Sequence, residues 1–262
     1  MKNVSELFSL KGKVAFISGA TGYLGSAMAE ALAEAGASVV VSSRNLEKAQ
    51  QAAGKLPQIE GAVHYAVEMD QMEEDSIQAG FEQAVQLAGC IDILVNNGQQ
   101  SAPQDWKEVT GEQFTQQLQN ATGYFLLSRL LRSHVVERGC CGSVIMLGSM
   151  YGIVGSYPEC YEEIQYSSPV AYHVLKGGVL QMTRHLAVYW GKDNVRVNSL
   201  SPGPFPSSAA PQNMVDRLIT KSPMGRMGTP EELKGAIVFL ASDASSYMTG
   251  QNLVIDGGWT AW

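Results

Sequence analysis

The chain has 262 residues, 45% of them apolar and 16% charged, with a formal net charge of −7. That length suits one large α/β unit with a substantial core. The acidic balance, without a Lys/Arg run, excludes nucleic acid and anionic membrane surfaces as expected partners.

No stretch reaches the roughly 18 apolar residues that a membrane-spanning helix needs. The opening Met1-Lys-Asn-Val-Ser-Glu6 lacks the apolar core of a signal peptide. The four cysteines, Cys90, Cys140, Cys141 and Cys160, show no C-x-x-C spacing and no His cluster beside them. A cytoplasmic protein with reduced thiols and no metal is the expectation.

Strand and helix signals alternate along the whole chain. Lys13–Ser18 is a short apolar run, read as a buried parallel strand. Gly19-Ala-Thr-Gly-Tyr-Leu-Gly25 follows it as a turn, and Leu24–Ala35, rich in Ala and Leu, reads as a helix. Further strands are expected at Ser38–Ser42, Ala62–Val67, Ile91–Asn96, Ser143–Leu147, Arg196–Leu200 and Asn252–Asp256. Such an alternation predicts a doubly wound, Rossmann-type parallel sheet of about seven strands in a single domain over 1–262, with helices on both faces.

The glycine turn between a strand and a helix lets the backbone approach a pyrophosphate, and the helix N-terminus supplies free N–H groups. A dinucleotide is therefore expected there. Ser201-Pro-Gly-Pro-Phe-Pro206 is expected to end the sixth strand, because Pro suits neither a helix interior nor a central strand. The irregular stretch 203–229 lies beyond a strand's C-terminal end, where open α/β sheets bind ligands, and is read as a substrate lid.

Tyr172 and Lys176 lie four residues apart in a long apolar helix, Val170–Trp190, and so share one face. A free tyrosine has a pKa near ~10 and is a poor base at neutral pH. An ammonium beside it favours the phenolate, so the pair is suited to exchange a proton with an alcohol or carbonyl oxygen.

With both features in view, the chain resembles the short-chain dehydrogenase/reductases over almost its whole length. The resemblance rests also on Asn96-Asn97-Gly98, Ser149, Asn198-Ser-Leu-Ser-Pro-Gly203 and Met248-Thr-Gly-Gln251. It implies nicotinamide-dependent carbonyl/alcohol chemistry. By resemblance, Tyr172 is the acid/base, and Lys176 lowers its pKa and holds the nicotinamide ribose. Ser149 bonds the substrate oxygen. Asn120 kinks a helix and supports a proton-relay water. The implied cofactor contacts are Gly19, Thr21, Gly22, Tyr23, Leu24, Ser43, Arg44, Asp70, Asn97, Gly98, Tyr172, Lys176, Pro202, Gly203 and Ser207. Asp70 is placed at adenine, Asn97 at the adenine-ribose side, and Ser207 near the nicotinamide-side phosphate or carboxamide.

Three departures from the family pattern carry information. Tyr23 stands where a glycine is usual. Gly98 replaces an alanine, read as a small-for-small change. Ser149 and Tyr172 are 23 residues apart, which is longer than usual. The extra segment, 156–170, includes Tyr157-Pro-Glu-Cys-Tyr-Glu-Glu163 and Tyr166, and is expected beside the active site. Its tyrosines and acids suit a polar substrate, the alternative being a surface flap with solvated glutamates, and, lacking a helix-length apolar pattern, the segment is expected to add little core.

Cofactor choice turns on the end of the second strand, where an acid would bind the ribose hydroxyls of NAD(H). Ser42-Ser-Arg-Asn45 offers none, and Arg44 can fork onto a 2′-phosphate. NADP(H) is favoured over NAD(H). The expected function is hydride transfer between NADP(H) and a carbonyl or secondary alcohol of a sugar, polyol or keto acid. The alternatives are a 3-oxoacyl thioester reductase or a non-catalytic nucleotide sensor. A homotetramer is expected from the broad apolar face of the Tyr172 helix and from Trp259 and Trp262, which are costly to leave wet.

Overall fold

A computed structural model describes residues 1–101, 105–164 and 168–262. After a short helix α1 (Val4–Phe8), strands and helices alternate as β1 (Val14–Ser18), α2 (Tyr23–Glu34), β2 (Ser38–Ser43), α3 (Leu46–Gly54), β3 (Tyr65–Glu68), α4 (Glu74–Ala88) and β4 (Ile93–Asn96). Then follow α5 (Gly111–Glu137), β5 (Gly142–Leu147), α6 (Val170–Trp190), β6 (Val195–Pro202), α7 (Gln212–Ile219), α8 (Lys234–Ala241) and β7 (Asn252–Ile255).

The strands form one sheet in the order β3-β2-β1-β4-β5-β6-β7, every pair parallel. Alternate side chains of each strand enter opposite cores, so the strands read as unbroken apolar runs. Ala15 and Ile17 of β1 pack with Met28 and Leu32 of α2, Ala49 of α3 and Leu240 of α8. Val14 and Phe16 face the other way, among Phe81 of α4, Leu127 of α5 and Val179 of α6. A smaller third cluster, including Met150, Tyr151, Tyr161, Leu218 and Trp259, lies beyond the C-terminal ends of β5 and β7.

The sixth strand corrects one expectation, since β6 continues through Pro202, which pairs with Ile255. The reason is which side the missing N–H faces. Gly203 N–H donates to Ile255 O at 2.9 Å, toward β7, so the Pro202 nitrogen faces the β5 side. There β5 has ended at Leu147, and no ladder bond is lost. The stretch beyond is also less irregular than expected, because it contains α7.

Candidate active site

The strand order brings the carboxyl ends of β1 and β4 side by side at the point where the winding of the sheet reverses. Gly19 has φ +65, and a Cβ there would lie 2.6 Å from Gly98 Cα. The two loops therefore meet backbone to backbone, which only glycine permits. The Ser18 hydroxyl accepts from the N–H groups of Asn97 (3.1 Å) and Gly98 (2.9 Å). The Asn97 amide donates back to Ser18 O (3.0 Å) and Gly19 O (2.9 Å).

A cleft opens over this junction, lined by Gly19, Thr21, Gly22, Tyr23, Leu24, Ser43, Arg44, Asp70, Asn97 and Gly98. Helix α2 starts here with Gly22 as its N-cap, and no side chain caps its first turn. Its free N–H groups and the positive end of its dipole suit a pyrophosphate, so the residues present fit a dinucleotide. Arg44 is exposed at the far end, and its Nη1 donates to Gln100 Oε1 at 3.3 Å.

A second pocket adjoins the first through Leu24, Asn97 and Gln99, which line both. Its wall is Ser149, which follows β5, Tyr172 and Lys176 from α6, and Pro202 and Gly203 at the end of β6. Asn97 thus lines both pockets. The Ser149 hydroxyl accepts from Tyr151 N–H at 3.1 Å and hydrogen-bonds the Tyr172 side chain. Lys176 Nζ, fully buried, donates to Leu147 O at 2.7 Å.

The ionisation of this pair differs from the expectation. Burial pushes the Tyr172 phenol above the ordinary tyrosine range, opposed by the hydrogen bond with Ser149. Burial also draws the Lys176 amine down to about 7. Both groups lie out of water, where each prefers to be neutral.

Asn120, on α5, is fully buried behind the pocket. Its carboxamide accepts from Gln71 Nε2 (2.9 Å) and Gln100 N–H (2.8 Å), and donates to the carbonyls of Gln100 (2.9 Å) and Gln117 (2.8 Å). That side chain is fully engaged in tying the loop after β4 to α5, which runs unbroken through it. Ser207 lines neither pocket, and among the described residues its hydroxyl accepts a single 3.4 Å bond, from Ala209 N–H.

The described part of the segment, 156–164 and 168–170, is no solvated flap. Arg217 of α7 donates to the carbonyls of Glu159 (3.1 Å) and Glu162 (2.8 Å), and Lys221 pairs with Glu159 at 2.8 Å. The hydroxyls of Tyr161 and Tyr151 bond each other at 2.5 Å, and the Tyr151 ring stacks on His173 at 4.6 Å. Cys160 is 1% exposed. The expectation of little core is therefore wrong, because Tyr157, Cys160, Tyr161 and Ile164 pack in a cluster shared with Met214 and Leu218 of α7. Tyr166 lies outside the described residues. Trp259 packs edge-on to Tyr157 in the same cluster and is 1% exposed, so it needs no partner chain, whereas Trp262 stays exposed.

Gln71, Gln99, Gln100 and Phe205 line the two pockets without having been singled out in the sequence. Gln71 directly follows Asp70, and that adjacency was its one signal. Gly98 is also more than a small-for-small change, since a Cβ there would overlap Gln71 Oε1.

A dinucleotide cleft at the switch point of a doubly wound sheet, open to a pocket holding a serine, a tyrosine and a lysine, defines an α/β oxidoreductase. The family model described as enoyl-(acyl carrier protein) reductase matches residues 19–260. The 2-dehydro-3-deoxy-D-gluconate 5-dehydrogenase of Escherichia coli is 33% identical, covering 98% of this chain and 99% of that protein. The NADP-dependent mannitol dehydrogenase of Alternaria alternata is also 33% identical, covering 98% and 95%. A gluconate 5-dehydrogenase from Burkholderia cenocepacia, crystallised with NADP and tartrate, superimposes with a TM-score of 0.89 at 29% identity, covering 99% and 100%. The chain belongs to the short-chain dehydrogenase/reductase family. It is an oxidoreductase of alcohol and carbonyl groups that uses a nicotinamide cofactor. Among the described residues no helix is long and apolar enough to cross a membrane.

Proposed function

We propose that the chain interconverts a secondary alcohol and a ketone on a sugar, polyol or keto acid, with NADP(H) preferred. The observation that carries this reading is the meeting of Ser149, Tyr172 and Lys176 in a pocket continuous with the dinucleotide cleft. Their neighbours Asn97 and Gln99 add neutral hydrogen-bonding groups that suit a hydroxyl-rich substrate.

Gly19, Thr21, Gly22, Tyr23 and Leu24 hold the pyrophosphate, Asp70 and Asn97 flank the adenosine half, and Pro202 and Gly203 back the nicotinamide. A bound nicotinamide supplies or accepts the hydride. Ser149 donates to the substrate oxygen and fixes its position against Tyr172. In reduction, Tyr172 gives its proton to that oxygen as hydride reaches carbon, so no full alkoxide charge develops. In oxidation it takes the proton back. Lys176, when charged, lowers the cost of the Tyr172 phenolate and reaches the nicotinamide ribose. Asn120 keeps the loop after β4 in register with α5.

Arg44 and Ser43 are read as the 2′-phosphate site, since a planar guanidinium binds phosphate bidentately. The relatives named for NADP support this choice. Segment 203–229 is read as the substrate lid, clamped by Arg217 to segment 156–170. Val174, Val188 and Tyr189 of α6 stay exposed, which supports a homotetramer that covers them. The four free thiols accord with a reducing cytoplasm.

The test is a panel of polyols, sugar acids, ketoses and a 3-oxoacyl thioester, each followed at the nicotinamide absorbance with NADP(H) and NAD(H). Turnover of hydroxyl-rich substrates is expected. Turnover of the thioester alone would overturn the substrate class.

A further inference from the structure

Lys176 is buried without a carboxylate against it among the described residues. Its only hydrogen bond there is to Leu147 O. Two aromatic rings also lie against Nζ. It lies 5.6 Å from the centre of the Tyr172 ring and 5.7 Å from that of Tyr124, on α5. Tyr172 is the reacting ring. Tyr124 takes no part in the proposed chemistry, yet it is 1% exposed and its hydroxyl has no hydrogen-bond partner among the described residues.

A buried hydroxyl without a partner destabilises, so such a group calls for an explanation. Burial pushes its ionisation far above the ordinary range, with the nearby Tyr172 adding to the rise, and Tyr124 stays neutral throughout. The hydroxyl thus makes neither a hydrogen bond nor a charge. What Tyr124 presents to Lys176 is the negative face of its ring, within the ~6 Å over which a ring quadrupole holds a cation.

We infer that Tyr124 is a positioning residue for the reaction, whose ring face stabilises the charged Lys176 and thereby the Tyr172 phenolate. The inference rests on the assignment of Tyr172 and Lys176 as the acid/base pair. Four stretches of the chain supply the groups around the pair. The Leu147 carbonyl comes from β5 and Tyr124 from α5. Ser149, Tyr151, Tyr161 and His173 surround Tyr172 from the segment after β5 and from α6 itself. None of these groups is a carboxylate, so among the described residues the Leu147 carbonyl and the rings of Tyr172 and Tyr124 support the ammonium, and of the two rings Tyr124 is the one that does not react.

The experiment is the pH profile of kcat/KM for alcohol oxidation in Tyr124→Phe and in a series with mono-, tri- and pentafluorinated phenylalanine at 124. Fluorination drains the ring face of negative potential at nearly constant size. Tyr124→Phe keeps the ring, so its profile should overlay the wild type and its thermal midpoint should equal or exceed it. Through the fluorinated series the basic limb should move stepwise to higher pH, by about half a unit or more in total, a roughly threefold or greater loss below the limb. A flat series overturns the inference, as does a Tyr124→Phe variant shifted as far as the pentafluoro one, which would assign the effect to the hydroxyl. Tyr172→Phe measured alongside separates the two claims. If it retains turnover, the acid/base assignment fails. If it is inactive and the series is flat, only the role of Tyr124 fails.

Discussion

The Gln71 amide donates to the Asn120 carboxamide oxygen at 2.9 Å, and the same Gln71 side chain occupies the space that a Cβ on Gly98 would take. One side chain therefore joins the loop after β3, the loop after β4 and α5, at the wall of the cofactor cleft.

Gly98→Ala should push Gln71 off Asn120, since Gln71 is pinned and cannot swing aside freely. Overpacking of this kind costs about 1–3 kcal/mol. Thermal denaturation should show a lowered midpoint, and titration with NADPH a weaker affinity. Unchanged values in both would mean that Gln71 relaxes without loss.

Among the described residues, the hydroxyls of Tyr151 and Tyr161 bond each other at 2.5 Å in a buried cluster. Replacing either by Phe leaves the other hydroxyl stranded, at about 1–3 kcal/mol. The double Phe variant should be less destabilised than the sum of the singles. Urea denaturation of all four proteins completes the double-mutant cycle, and strict additivity would show that the bond is absent in solution.

Arg44→Asp should reverse the cofactor preference. It removes a partner of the 2′-phosphate, adds repulsion against it, and offers the ribose hydroxyls an acceptor. The ratio of kcat/KM for NADPH and NADH should exceed one in the wild type and fall below one in the variant. A wild type that prefers NADH would contradict the role given to Arg44.

Lys176 also links stability to pH. Its amine titrates at about 7 in the folded chain, below the ordinary lysine value of 10.5. Between those values the unfolded chain holds the extra proton, so rising pH favours the folded state, by up to ~1.4 kcal/mol per unit. Below pH 7 both states are charged and the burial cost is felt in full. Lys176→Met lacks this dependence. Urea unfolding of both proteins from pH 6.5 to 9 should show the wild type gaining on the variant as pH rises, and a constant difference would contradict the burial of a titrating amine.

The sheet was legible in the sequence because strands covered on both faces are plain apolar runs, as at Phe16 and Val40, with glycines at the turn after β1. The Tyr172–Lys176 spacing was legible because a helix puts residues four apart on one face. Pro202 was misjudged because a proline's cost in a strand depends on which neighbour its nitrogen faces, and that is decided by where β5 ends. The depth at which Lys176 lies is a property of packing by α5 and β5, so the direction of its shift left no local signature. Cys160 and Tyr161 follow no helical or strand period, which hid their burial against Met214 and Leu218. Tyr124 reads as one more apolar residue of α5 until the face it turns to Lys176 is seen.

The most direct test of the account is the turnover of Tyr172→Phe with a substrate that the wild type accepts, measured beside its affinity for NADPH. The substitution removes one hydroxyl that acts in proton transfer and leaves the dinucleotide cleft intact. Turnover should fall by about 10²-fold or more while the NADPH affinity stays within a few-fold of the wild type. Near-normal turnover would contradict the assignment of Tyr172 as the acid/base, and with it the mechanism built on the pocket.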